Sequence, residues 1–124
     1  MSSIFSKIVA GEIPAYKVAE NDRFLAFLDI FPLQRGHVLV IPKLEVDYIF
    51  DLEKSDYTDL MAFSYDIAVK IKKVIKCNRI GIAVLGLEVP HAHVHLIPIN
   101  HERDMNFSNP KKTFTAQEMQ EVAE

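Results

Sequence analysis

The chain has 124 residues, 49% hydrophobic and 25% charged, which suits one globular domain around a single core and argues against a second. A formal net charge of −3 with no basic block argues against binding to nucleic-acid backbones through counterion release. Cys77 is the one cysteine, so no intramolecular disulfide can form, and no apolar stretch approaches the ~20 residues that span a bilayer. The start Met1-Ser2-Ser3-Ile4 lacks the basic and apolar regions of a secretory signal. The expectation is a soluble protein of the reducing cytoplasm, with no membrane partner.

In chain order, Ser2 or Ser3 caps a short helix carrying Ile4, Phe5, Ile8 and Val9, and Gly11 and Pro14 end it. Tyr16 to Glu20 and Phe24 to Asp29 read as strands joined by an Asn21-Asp22 turn that lacks the favoured glycine. After the turn residues Pro32 to Gly36, the apolar run His37 to Ile41 predicts a strand covered on both faces. From Ser55 to Lys76 the period changes, and Leu60, Phe63, Ile67, Ile71 and Val74 place one apolar stripe along a long helix. Arg79 to Leu85 and His91 to Ile99 are short and rich in Ile and Val, hence strands. The last twenty or so residues are polar, and Thr115-Ala116-Gln117-Glu118 is a capping box for a short terminal helix that orders against a partner. Short turns between strands and one main helix predict an α+β fold with an antiparallel sheet, leaving the second face free for a ligand or another subunit.

The run Val89-Pro90-His91-Ala92-His93-Val94-His95-Leu96 is the most informative segment. On a strand, alternate side chains share a face, so His91, His93 and His95 point one way and Ala92, Val94 and Leu96 the other. Packing does not account for an imidazole face, because buried rings need partners and exposed ones add nothing to a core. A neutral imidazole is a competent nucleophile near neutral pH and its phosphoryl adduct is labile, which splits one hard displacement into two easier ones. His93, flanked on both sides, is the expected nucleophile. A metal site is the rival, since His-x-His on a strand is a recurrent ligand pair, although residues ~6–7 Å apart suit two ligands better than three in sequence.

His91-Ala92-His93-Val94-His95-Leu96-Ile97 resembles the His-φ-His-φ-His-φ-φ signature of the histidine triad superfamily. The blocks Ile4 to Ile8, Glu12 to Pro14, Ala26 to Ile30 and Gly36 to Lys43 resemble, in order and spacing, its branch of purine nucleoside phosphoramidases. The resemblance covers roughly the first hundred residues and implies a domain over 1–102 with a polar tail over 103–124. It implies a five-stranded antiparallel sheet with one long and one short N-terminal helix, two subunits pairing as a homodimer into a continuous ten-stranded sheet. The implied activity is hydrolysis at the α-phosphate of purine nucleoside phosphoramidates or adenylated conjugates through a nucleotidyl-histidine, with no cofactor. His91 and His95 then contact the phosphate or supply a proton, and His37 completes the site. Asp29 and Ile30 fall where the family holds the ribose; Phe5, Ile8 and Phe27 fall in the base slot and Val89 beside the phosphate loop. A third histidine at 95, where transferases carry glutamine, implies water as acceptor.

The sequence also departs from that pattern. The loop before the triad lacks the usual asparagine, and Leu87 and Glu88 stand where an amide and a hydroxyl contact phosphate. This keeps open a nucleotide-binding protein with little turnover, or a hydrolase of dinucleoside polyphosphates; a metal-dependent histidine cluster is a weaker alternative. Some relatives hold zinc through an N-terminal Cys-x-x-Cys and a later histidine, but those places read Ser3, Ser6 and Glu45, so no metal is expected. His101 reads as solvated, Cys77 as a small packing residue, and Lys70, Lys72, Lys73 and Lys76 as cations favoured at a helix C-terminus.

Overall fold

A computed structural model describes residues 2–123. Helix α1 spans Ile4–Val9, and strands β1, β2 and β3 span Lys17–Glu20, Phe24–Leu28 and Val38–Pro42. A 3₁₀ turn at Ile49–Asp51 leads into helix α2, Lys54–Val74; strands β4, Arg79–Ala83, and β5, Val94–Ile99, follow, and helix α3 covers Ala116–Ala123. The five strands pair antiparallel in the order β1-β2-β3-β5-β4. The turn between β1 and β2 works without glycine because the Asn21 side-chain carbonyl accepts the N–H of Arg23 at 2.9 Å and of Phe24 at 2.8 Å.

The central strands β2 and β3 are buried throughout, as the unbroken apolar runs require. One face, carrying Ala26, Leu28, Val38, Val40, Ala92, Val94 and Leu96, packs against α2. On the other face Leu25, Phe27, Leu39 and Ile41 pack against Phe5 and Ile8 of α1. The expectation that this second face lies free is therefore corrected: α1 closes part of it, because Ser3 caps the helix by accepting the Ser6 N–H at 3.0 Å and Phe5 sets its ring edge-on to Phe27 at 5.5 Å.

Two further expectations shift. The buried stripe of α2 is Leu60, Ser64, Ile67 and Ile71, continued by Ile75, while Val74 is 62% exposed and Phe63 only partly buried. The helix period of 3.6 carries the stripe from 71 to 75, and Ser64 is tolerated because its hydroxyl donates to the Leu60 carbonyl at 2.9 Å. Strand β5 begins at Val94 rather than His91. Its ladder with β3 ends at Val40–Val94 and that with β4 at Ala83–His95, so the preceding backbone turns back on itself and His91 N–H bonds the Val89 carbonyl at 2.8 Å.

The polar C-terminal stretch docks on its own chain. Lys112 N–H donates to the Pro32 carbonyl at 2.8 Å, and Met119 of α3 is buried in the α2-side core with Phe114 and Val122 packed around it. The capping box forms, with Glu118 accepting the Thr115 N–H at 2.9 Å and the Thr115 hydroxyl accepting the Glu118 N–H at 3.1 Å.

Gly36, immediately before His37, has φ +87°, and a Cβ there would lie 2.8 Å from Ile75 Cγ1. Both the left-handed backbone and the close approach require glycine. Gly36→Ala is expected to destabilise the fold by about 1–3 kcal/mol, read as a lower urea midpoint; an unchanged midpoint would contradict this account.

Candidate active site

Four buried histidines form one connected cluster on the α1 side of the sheet. From Phe5 the rings run in sequence: Phe5 to His93 at 5.0 Å between centroids, His93 to His95 at 4.9 Å and His95 to His37 at 5.2 Å. His95 is brought to His37 by the β3–β5 pairing, in which it lies opposite Leu39.

Hydrogen bonds fix the proton on each ring. His93 Nδ1–H donates to the backbone carbonyl of His91 at 2.7 Å, which leaves Nε2 with a free lone pair. His37 Nδ1 accepts the Leu33 N–H at 3.1 Å, so its proton sits on Nε2 and is donated to His95 Nδ1 at 3.0 Å. His95 Nδ1 is then an acceptor, and its own proton lies on Nε2. Burial holds both His37 and His95 far below the ordinary imidazole value, each at about 3, with the positive field of Lys111 also acting on His37 and that of His37 on His95.

His91 differs from its neighbours. Its Nε2–H donates to the Pro42 carbonyl at 2.7 Å and its Nδ1 accepts the Ser3 hydroxyl at 2.8 Å, so both ring nitrogens are used within the protein. Burial pushes its pKa down, opposed by the Pro42 carbonyl and by Glu45. Glu45 in turn accepts the Ser3 N–H at 2.6 Å and the Ser6 hydroxyl at 2.7 Å, which hold its carboxyl down at about 2. This network ties α1 to the loop after β3 and to the triad. It occupies the places where the resemblance puts a zinc site, and the residues do not fit that metal: two neutral hydroxyls replace thiolates, and the His91 lone pair already accepts a proton.

Asp29 Oδ2 lies 3.6 Å from His37 Nε2, while its Oδ1 caps the following turn by accepting the Phe31 N–H at 2.9 Å. Donor atoms of Asp29, His37 and His95 lie within 4.8 Å of one another, the spacing of a ligand set. The Leu33 N–H keeps the proton on His37 Nε2, however, so a cation there would require that bond to break. Phe5, Ile8 and Phe27 come together as an apolar floor beside His93, with Val89 packed against them. Ile30 is 60% exposed, near Asp29 in sequence but with no packing against this cluster. Leu87 is 92% exposed, and among the described residues Glu88 makes no hydrogen bond or ion pair with a histidine. Sequence reasoning missed the Leu33 N–H that orients His37, and Phe107, whose ring meets His95 at 4.8 Å. An isolated aromatic residue in a polar tail was the available signal for Phe107.

The sheet presents directionally hydrogen-bonded imidazoles beside an apolar floor and a carboxylate, the convergent polar groups and apolar lining of a candidate ligand site. Residues 10–102 match the family model described as HIT domain. The protein hit of Bacillus subtilis is 41% identical over 105 residues, covering 77% of this chain and 69% of that protein. The adenosine 5'-monophosphoramidase hnt1 of Schizosaccharomyces pombe is 33% identical over 130 residues, covering 100% of this chain and 95% of that protein. Among solved structures, a Hit-like protein from Bartonella henselae superposes with a TM-score of 0.84 at 27% identity, covering 98% of this chain and 91% of that one. The chain belongs to the HIT family, and its α+β fold with a five-stranded antiparallel sheet is that of its structural relatives.

Proposed function

We propose that the protein is a nucleotide hydrolase that cleaves the α-phosphate bond of purine nucleoside phosphoramidates or adenylated conjugates, with His93 as nucleophile. The observation that carries this reading is the bond from His93 Nδ1–H to the His91 carbonyl, which leaves Nε2 as the ring nitrogen outside that bond. The relative named adenosine 5'-monophosphoramidase supports the same chemistry. In the first step His93 Nε2 bonds to the α-phosphorus as the P–N bond to the leaving amine breaks. His95 Nε2–H donates a hydrogen bond to the phosphate, and the departing amine takes up a proton from solvent. In the second step water attacks the phosphorus, its proton passes to solvent, and the P–N bond to His93 breaks to free AMP and the histidine. His91 acts as a positioning residue through its carbonyl, and Asp29 receives the ribose hydroxyls once they displace its contact toward His37; Ile30, Phe5, Ile8, Phe27 and Val89 line the nucleoside side. No metal or other cofactor enters these steps.

We read the exposed apolar residues Ile82 and Leu85, on and just beyond the edge strand β4, as the seam of a homodimer, and the cytoplasm as the place of action. Among the described residues no helix is long and apolar enough to cross a membrane.

A nucleotide-binding protein with little turnover is the second reading, favoured by exposed Leu87 and Glu88 in the loop where the family resemblance places phosphate contacts. The test is release of AMP from adenosine 5'-phosphoramidate by chelator-treated protein. Turnover supports the hydrolase; nucleotide affinity without turnover supports the binder; neither would overturn both.

A further inference from the structure

The row of rings does not stop at His95. Phe107 sets its ring edge-on to His95 at 4.8 Å and 70°, and Lys111 donates from Nζ to the Phe107 carbonyl at 2.5 Å with its ammonium 5.9 Å from that ring's centroid. The segment is fastened next door: Lys112 bonds the Pro32 carbonyl through its N–H, and the Gln34 side chain through Nζ at 3.1 Å. Pro32 and Gln34 flank Leu33, whose N–H orients His37. The C-terminal stretch is thus held against the same loop that sets the histidine cluster.

Charge gives this placement a purpose. His37, His91 and His95 are all held below the ordinary imidazole value, so in the free protein these rings offer hydrogen bonds but no positive charge to a phosphate. The loop over 84–90 offers an exposed Leu87 and a carboxylate at Glu88. Two cations flanking strands β2 and β3 are already in ion pairs, Arg23 with Asp56 and Asp59 and Lys43 with Glu20. Lys111 makes no ion pair among the described residues, and its field reaches both His37 and His95. The acceptor of its hydrogen bond is a neutral carbonyl, which an anionic oxygen replaces with gain.

We propose that Phe107 to Lys111 forms a wall of the active site and that the Lys111 ammonium binds the anionic α-phosphate of the nucleotide. This assigns a phosphate contact to the C-terminal stretch, and it rests on the nucleotide reading above. Arginine at 111 supplies the same charge; methionine keeps the length and apolar stem without it.

The test compares AMP with adenosine by calorimetric titration of the full-length protein, its Lys111→Met and its Lys111→Arg variants. The wild type should bind AMP more tightly than adenosine. Lys111→Met should weaken AMP about tenfold and leave adenosine unchanged, while Lys111→Arg should keep most of the preference. An AMP preference that survives Lys111→Met, an equal loss for both ligands, or a wild type with no preference for AMP would each overturn the assignment. A wild type that binds neither ligand would instead strike at the nucleotide reading and remove the Lys111 contact with it.

Discussion

Replacing His93 with alanine is expected to lower AMP release from adenosine 5'-phosphoramidate by at least about 10³-fold, because the variant has no atom to bond to phosphorus. His93 is buried and its ring donates to the His91 carbonyl, so alanine leaves a small cavity and takes the donor from that carbonyl. The fold should therefore survive at a cost of about 1–3 kcal/mol, and AMP should still bind. Both controls matter. A variant that is folded, still binds AMP and still turns over substrate at a comparable rate would remove His93 from the nucleophile's place, and a variant that has lost AMP binding would show the ring serving affinity rather than bond-making.

The second large effect is on stability against pH. His37 and His95 are neutral in the folded protein down to about pH 3, whereas an unfolded histidine takes up its proton near pH 6.5. Between those values the unfolded chain binds more protons, so stability is complete above about pH 6.5 and falls as the solution is acidified. From pH 7.5 to 5 each ring that stays neutral costs about 2 kcal/mol of stability, a combined fall of roughly 4 kcal/mol or about 15 °C in Tm. His91, also held down, adds in the same direction. Carboxylates contribute little in this window, since they protonate at lower pH. Thermal melts at the two pH values read the effect directly, and His95→Gln should lose about half of it. A flat profile would mean that these rings are charged or solvated in the folded state.

The alternation was legible in the sequence although the strand itself begins only at Val94: Ala92, Val94 and Leu96 lie in the α2-side core, while Phe5 of α1 meets His91 and His93 and His95 lies opposite Leu39. The unbroken apolar run at Val38 to Ile41 likewise announced a doubly covered strand. What local pattern could not separate was the work of three histidines that look alike in the chain. His91 is distinguished from His93 only by its partners, Ser3 and the Pro42 carbonyl, which lie 88 and 49 residues away. The same holds for α1 closing over the second face, which depends on Phe5 meeting Phe27, and for the tail, where Met119 finds its place only once the main core exists. Val74 was misplaced for a different reason: a spacing of three or four does not say which turn of a long helix ends the contact.

The hydrogen bonds that set the proton positions also have a consequence in time. Ser3 and His91 are 88 residues apart and His37 and His95 are 58 apart, so these two contacts cannot form in a partly synthesised chain that has not yet delivered β5, whereas the Leu33–His37 bond spans only four residues and the His93–His91 bond two. Ring closures of that length come late in folding and are slow. A half-folded chain therefore holds the local bonds of His37 and His93 but not those that join the rings across the fold, and the connected cluster forms only with the completed sheet.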